Sequence, residues 1–392
     1  MNHIGPASRK AYLFILLIGV LSFFADFTYE GARSMLGPYL ASLQASALVV
    51  GTVTGFGELA GYGLRLFSGR LADASGRFWL ISIAGYLLQM SAVPALALTS
   101  SWPAAAVLII LERVGKAIRN PPRDVMLSHA ANQVGGYGWV FGLHEALDQL
   151  GALGGPLAVA AILARGGSYH EAFAVLAIPA ALNLSMVFLA RWLYPTPEDM
   201  EKQFHRDGSD RLPRVFWLYL GGAGLVALGF ADYPVIAYHF SRAHSVPGQW
   251  IAVFYAVAMG TGGAGSLVFG RLFDRYGFRV LIALTLASAF FAPLVFLGNF
   301  WGALLGAAIW GLGMGVHESI IPAAVAPMVS SRIRASAFGI FTAGYGGFWF
   351  LGSVAIGALY GHSIAATITF CMAAQFAAIP IFALVGRRVR YR

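Results

Sequence analysis

Charge is what this chain has least of. Only 11% of its 392 residues are Asp, Glu, Lys or Arg, where a soluble domain carries roughly a quarter. That deficit, with 58% hydrophobic residues and a mean hydropathy of +0.70, excludes an ordinary soluble globular class. The chain has a single cysteine, Cys371, so it can form no intramolecular disulfide. It has no glycine-rich phosphate loop ending in Gly-Lys-Ser/Thr, which removes direct use of ATP through that motif. Two His-Glu dipeptides, His144-Glu145 and His317-Glu318, lack the second histidine that a zinc hydrolase needs. The remaining histidines and acids are dispersed over separate apolar runs. No enzyme, no cofactor and no resident metal are therefore expected.

What is present is a series of apolar runs, each near the ~20 residues that span a bilayer core. Twelve are counted, at 11–40, 47–69, 78–99, 103–122, 136–163, 170–194, 214–240, 249–270, 278–298, 302–328, 336–360 and 364–386. The first has a basic flank like a signal peptide but no small-residue cleavage site, and is read as a retained helix. The 48 glycines suit closely approaching transmembrane helices. The net charge of +9 is topogenic. With both termini in the cytoplasm, the outer loops would hold only Arg165 and Arg242, the positive-inside asymmetry. Nucleic acid is excluded as a partner. The lipid bilayer of a bacterial inner membrane, a small-molecule substrate and protons are the expected partners, and a monomer the expected state.

The longest polar stretch, 195–213, separates two sets of six runs, so 1–194 and 214–392 are read as two bundles joined by a cytoplasmic loop. An internal repeat supports this. GRLADASGR at 69–77 returns as GRLFDRYGF at 270–278, with Gly69, Asp73 and Gly76 recurring as Gly270, Asp274 and Gly277. Gly115 and Pro122 recur as Gly315 and Pro322. The tripeptide Phe-Ala-Asp stands at 24–26 and again at 230–232.

The pattern G-x-L-x-D-x-x-G-R between runs two and three resembles the signature loop of the major facilitator superfamily, matching at Gly69, Asp73, Gly76 and Arg77. The second copy departs from it, with Phe278 before Arg279. The resemblance implies an all-α membrane protein of twelve transmembrane helices in two pseudosymmetric six-helix bundles, which alternate access around a central cavity. It also implies a gating role for the loops, with Arg113 in their network. Within FGLHEALDQLGALGGPL, the residues Gly142, Gly151, Gly155 and Pro156 resemble the fifth-helix motif of superfamily antiporters, which implies a close helix contact and favours efflux; the further glycine pair is absent.

A charge at the centre of a membrane helix costs about 2.5–3.5 kcal/mol on insertion scales, so such residues turn to a partner or a wet cavity. In run one Asp26, Glu30 and Arg33 lie at i, i+4 and i+7, one polar stripe. Asp232 is the repeat mate of Asp26, and Pro234 beside it should disturb the helix. Glu58, Glu145, Asp148, His317 and Glu318 complete the candidate cavity residues. A carboxylate that alternates between desolvated and cation-paired settings can lose and regain a proton. Proton-coupled efflux of a small organic molecule is the expectation. Proton symport, export of a transition metal or its chelate, and a non-transporting receptor are the alternatives.

Overall fold

Lipid offers a backbone amide no water, so a chain this apolar must satisfy its N–H and C=O groups within helices or a closed barrel. The computed structural model takes the helical solution: the described residues form helices, turns and no strand. It describes residues 6–131, 137–196, 212–317, 321, 324–325, 328–329 and 334–389.

Eleven of the twelve expected runs fall on helices in order, and the tenth begins as one. Spans one to five are Pro6–Ser42, Ala47–Ser75, Phe78–Ala95 with a 3-10 turn Leu96–Leu98, Trp102–Ala131 and Tyr137–Ala164. Span six is Tyr169–Val175 with Ala177–Leu193, and span seven Arg214–Leu228 with Tyr233–Arg242. Spans eight and nine are Gly248–Tyr276 and Phe278–Ser288 with Phe291–Leu297; ten begins as Phe300–Gly315, and eleven and twelve are Arg334–His362 and Ile364–Arg388. Ten of these helices are long and apolar enough to cross a membrane. Span ten is described only over its shorter apolar part, and span four is helical throughout but carries too many charges to qualify by composition.

The breaks in spans six, seven and nine share one cause. Each resumed half-helix has proline in its first turn, at Pro179, Pro234 and Pro293. There the missing N–H costs nothing, because first-turn amides have no intrahelical acceptor, whereas the same ring would clash with a continuous preceding turn.

Packing gathers the chain into two compact units, Met1–Ala32 with Gly63–His205, and Arg33–Tyr62 with Arg206–Arg392. The hairpin tip joining spans one and two is thus part of the second unit. In the first unit, spans three and four touch backbone to backbone: a Cβ on Gly85 would lie 2.7 Å from the Gly115 carbonyl oxygen. Trp79 donates its indole N–H to the Tyr194 carbonyl at 2.9 Å, tying span three to the end of span six. In the second unit the hairpin tip packs as closely, since a Cβ on Gly37 would meet the Pro234 oxygen at 2.0 Å and one on Gly51 the Ser353 oxygen at 2.3 Å. Cys371 is fully buried there.

The repeat appears in the backbone as well. Gln44 and His244, in the turns after spans one and seven, both hold positive φ, 64° and 50°. Gly76 and Gly277, after spans two and eight, do the same at 64° and 59°. A Cβ on Gly76 would meet nothing within 4 Å. The glycine there is required by conformation and not by close packing.

Candidate functional site

Each unit holds a chain of buried and half-buried polar groups, assembled in the first unit from stripes at helical spacing. On span one of the first unit these are Ser22, Asp26 and Tyr29; on span four they are Glu112, Lys116, Arg119 and Arg123. Asp26 Oδ1 lies 3.7 Å from Arg119 Nη2, with the Arg119 side chain 1% exposed and that of Asp26 16%. Arg119 Nε donates to Gln89 Oε1 at 2.5 Å, and its Nη1 to the Tyr86 hydroxyl at 3.1 Å. Gln89 Nε2 donates to Glu112 Oε1 at 2.8 Å, and Glu112 Oε2 is 3.4 Å from Arg113 Nε. Arg113 and Lys116 both sit over the Tyr29 ring, 4.7 and 3.8 Å from its centroid.

Toward the start of span one the network continues. Ser22 Oγ is hydrogen-bonded to His144 Nε2 at 2.7 Å and accepts from Arg123 Nη1 at 3.2 Å. Arg123 also grips Asp124 at 2.7 Å, and His144 Nδ1 lies 3.4 Å from Asp148 Oδ2. Gly151 and Gly155 bring span five onto span one, since Cβ atoms there would lie 2.3 Å from the Phe23 oxygen and 2.1 Å from the Phe27 oxygen. Gly142 and Pro156 lie on the same helix.

The second unit is built around a broken helix. Asp232 caps Tyr233–Arg242, its Oδ1 accepting from the Tyr233 amide at 3.0 Å. The same oxygen accepts from Arg33 Nη2 at 2.6 Å, and Arg33 Nη2 is 3.3 Å from Glu58 Oε1. Asp232 is fully buried, and its Oδ2 has no hydrogen-bond partner among the described residues. The Ala231 carbonyl, freed by the break, is satisfied by the Trp310 indole at 2.8 Å. Beside it an aromatic nest encloses His317: the Phe230 ring is 4.3 Å away, Trp349 stands 5.4 Å away, and the Tyr345 hydroxyl is hydrogen-bonded to Nδ1.

The expected stripe of run one is therefore split. Asp26 is paired with Arg119, not with Arg33, which lies buried between Asp232 and Glu58. Glu30 is buried. Arg77 is exposed at the start of span three, and Gly69 lies in ordinary contact with Pro121, 3.5 Å from an added Cβ. Gly270 has open space around it. Glu318 lies outside the described residues, as do the side chains of Asp73, Asp274 and Glu145. In sequence, Arg119 and Arg123 extend the charged run of span four at three-to-four spacing from Glu112, whereas Tyr86 and Ser22 carry no such signal. Gln89 gave no such signal, being one polar residue in an apolar helix. Among the described residues, no group of three or more His, Cys, Asp and Glu could hold a metal ion.

Comparison with known proteins agrees with this architecture. The family model described as Major Facilitator Superfamily matches residues 16–353. The protein Rv2265 of Mycobacterium tuberculosis is 41% identical over 377 residues, covering 94% of this chain and 92% of that one. The MFS-type transporter MJ1317 of Methanocaldococcus jannaschii is 25% identical, covering 83% of each chain. Among solved structures, the nucleoside transporter NupG superposes with a TM-score of 0.73 at 15% identity, covering 97% of this chain and all (100%) of that one. A POT family transporter in complex with 5-aminolevulinic acid gives 0.74 at 13% identity, covering 96% of each. These structures share the fold. The chain is a multi-pass integral membrane protein of the Major Facilitator Superfamily, a transporter and not an enzyme.

Proposed function

We propose that this transporter exports a small organic molecule in exchange for protons. One observation carries the reading: each copy of the Phe-Ala-Asp repeat ends in a carboxylate that, among the described residues, is held by one guanidinium from a different span. Asp26 meets Arg119 and Asp232 meets Arg33. A proton on either carboxyl cancels the charge attraction that joins its two spans, and a charge stranded by that loss is costly in a low dielectric. Proton arrival thus favours separation of spans one and four, or of one and seven, and departure restores the pair. Alternating access needs such a paired contact that is made in one state and broken in the other.

Export over uptake is supported by the Gly151, Gly155 and Pro156 contact of span five on span one. The six-plus-six division at 195–213, cytoplasmic termini and a bacterial inner membrane follow from the repeat and from positive-inside charge. A monomer suffices, since each pair lies within one chain. The named solutes of the structural neighbours, a nucleoside and 5-aminolevulinic acid, suit polar organic substrates of modest size.

Proteoliposomes with a pH gradient imposed in each direction, screened against a panel of polar organic solutes, test this. Solute should move against the proton flow. In the Asp26→Asn/Asp232→Asn variant, gradient-driven transport should fall by about tenfold or more, equivalent to roughly 1.4 kcal/mol of lost coupling, while solute exchange persists. Gradient-driven transport at the wild-type rate in that variant would overturn the assignment.

A further inference from the structure

The second unit has a pocket that the transport reading does not use. It lies where span nine begins at Phe278 and span twelve ends at Arg388, and encloses about 570 Å³, a size typical of small-molecule sites. Arg275, Arg279 and Arg387 line it over an apolar wall of Phe278, Ile282 and Phe382. Among the described residues, no carboxylate lines it. Among the described residues, Arg279 and Arg387 have no ion pair or hydrogen bond through their side chains, and Arg275 has only a ring contact, 5.2 Å over Tyr276.

The corresponding place in the first unit is different. There the start of span three and the end of span six form a smaller pocket of about 370 Å³ with two arginines, Arg77 and Arg191. Arg191 is already engaged, donating Nη1 to the Pro195 carbonyl at 2.6 Å. Topogenic arginines need only lie on one side of the membrane. They need not converge on a cavity, and in the first unit only two do, one of them already engaged.

We propose that the pocket of Arg275, Arg279 and Arg387 binds the phosphate of an anionic phospholipid. Guanidinium groups grip phosphate with paired N–H donors. The pocket stands at span ends, where a headgroup lies, and Tyr276 beside it is 48% exposed, as suits an interfacial aromatic. Phe278, Ile282 and Phe382 offer the glycerol and first acyl carbons an apolar wall. A free phosphate would use the arginines but not that wall.

The test uses the full chain in detergent. Phosphatidylglycerol, phosphatidylcholine, glycerol 3-phosphate and inorganic phosphate are titrated separately, following the melting temperature by tryptophan fluorescence and bound lipid by native mass spectrometry. Phosphatidylglycerol should raise the melting temperature and remain bound; the other three should do so weakly or not at all. Arg279→Gln/Arg387→Gln should need about tenfold more phosphatidylglycerol for the same shift. Arg279→Lys/Arg387→Lys keeps the topogenic charge, so it separates binding from insertion, and it should show an intermediate loss. Equal response to phosphatidylcholine, equal response to either soluble phosphate, or unchanged phosphatidylglycerol binding in both variants would each overturn the proposal.

Discussion

At the scale of single residues, the structure answers why an apolar helix carries Asp26, Glu30 and Arg33. A lone charge within the hydrocarbon is expensive, and here Asp26 and Arg33 are each paired across spans. The price of removing one partner is larger than the worth of the pair, because the survivor stays buried. Asp232→Ala is expected to lower stability by about 3–5 kcal/mol, read as a fall in melting temperature in detergent. Arg33→Gln alone should also destabilise. The Arg33→Gln/Asp232→Ala double variant should lose clearly less than the sum of the singles, a coupling that a double-mutant cycle isolates. Strict additivity would show that the 2.6 Å contact contributes little. The cost of such charges and their helical spacing were readable from sequence; their partners were not. Arg33 shares one helical face with Asp26, yet its contacts with Glu58 and Asp232 come from other spans, a choice made by packing between helices.

At the scale of elements, most of the helices could be read directly, because lipid leaves a polytopic chain few other ways to satisfy its backbone. The placement of breaks was legible only at Pro234; those before Pro179 and Pro293 follow the same rule but carry no charge to draw attention. Glycine was legible mostly as an abundance; a contact was readable only at Gly151 and Gly155, through the fifth-helix motif. Gly155→Val is expected to force span five from span one, since a Cβ would sit 2.1 Å from the Phe27 oxygen. Loss of folded protein in size-exclusion profiles would register it, and a wild-type profile would refute the packing. Gly277→Ala tests conformation instead. With φ 59° and ψ −138°, alanine there should cost about 1–3 kcal/mol, whereas Gly61→Ala, with open space and an ordinary helical position, should be tolerated.

At the scale of the whole molecule, the Major Facilitator Superfamily assignment rests on the family match over residues 16–353, with which span order and repeat agree. Substrate identity was not legible, because charges of both signs in the buried networks are compatible with several solute classes. Access change at this scale should be sensitive to protons in the medium: if Asp26 and Asp232 act as switches, collisional quenching of the nine tryptophans should change with pH in wild type. The change should be absent in Asp26→Asn/Asp232→Asn, and an identical profile in both would separate the carboxylates from any motion. The lone thiol bears on how such motion can be followed. Cys371 is sealed at 0% exposure, so a maleimide should leave the folded chain unmodified and react only after denaturation. The wild-type chain is then its own blank: cysteines introduced in pairs, one in each unit, can be spin-labelled without first removing the native thiol, and the distances between them can be followed as the pH is changed.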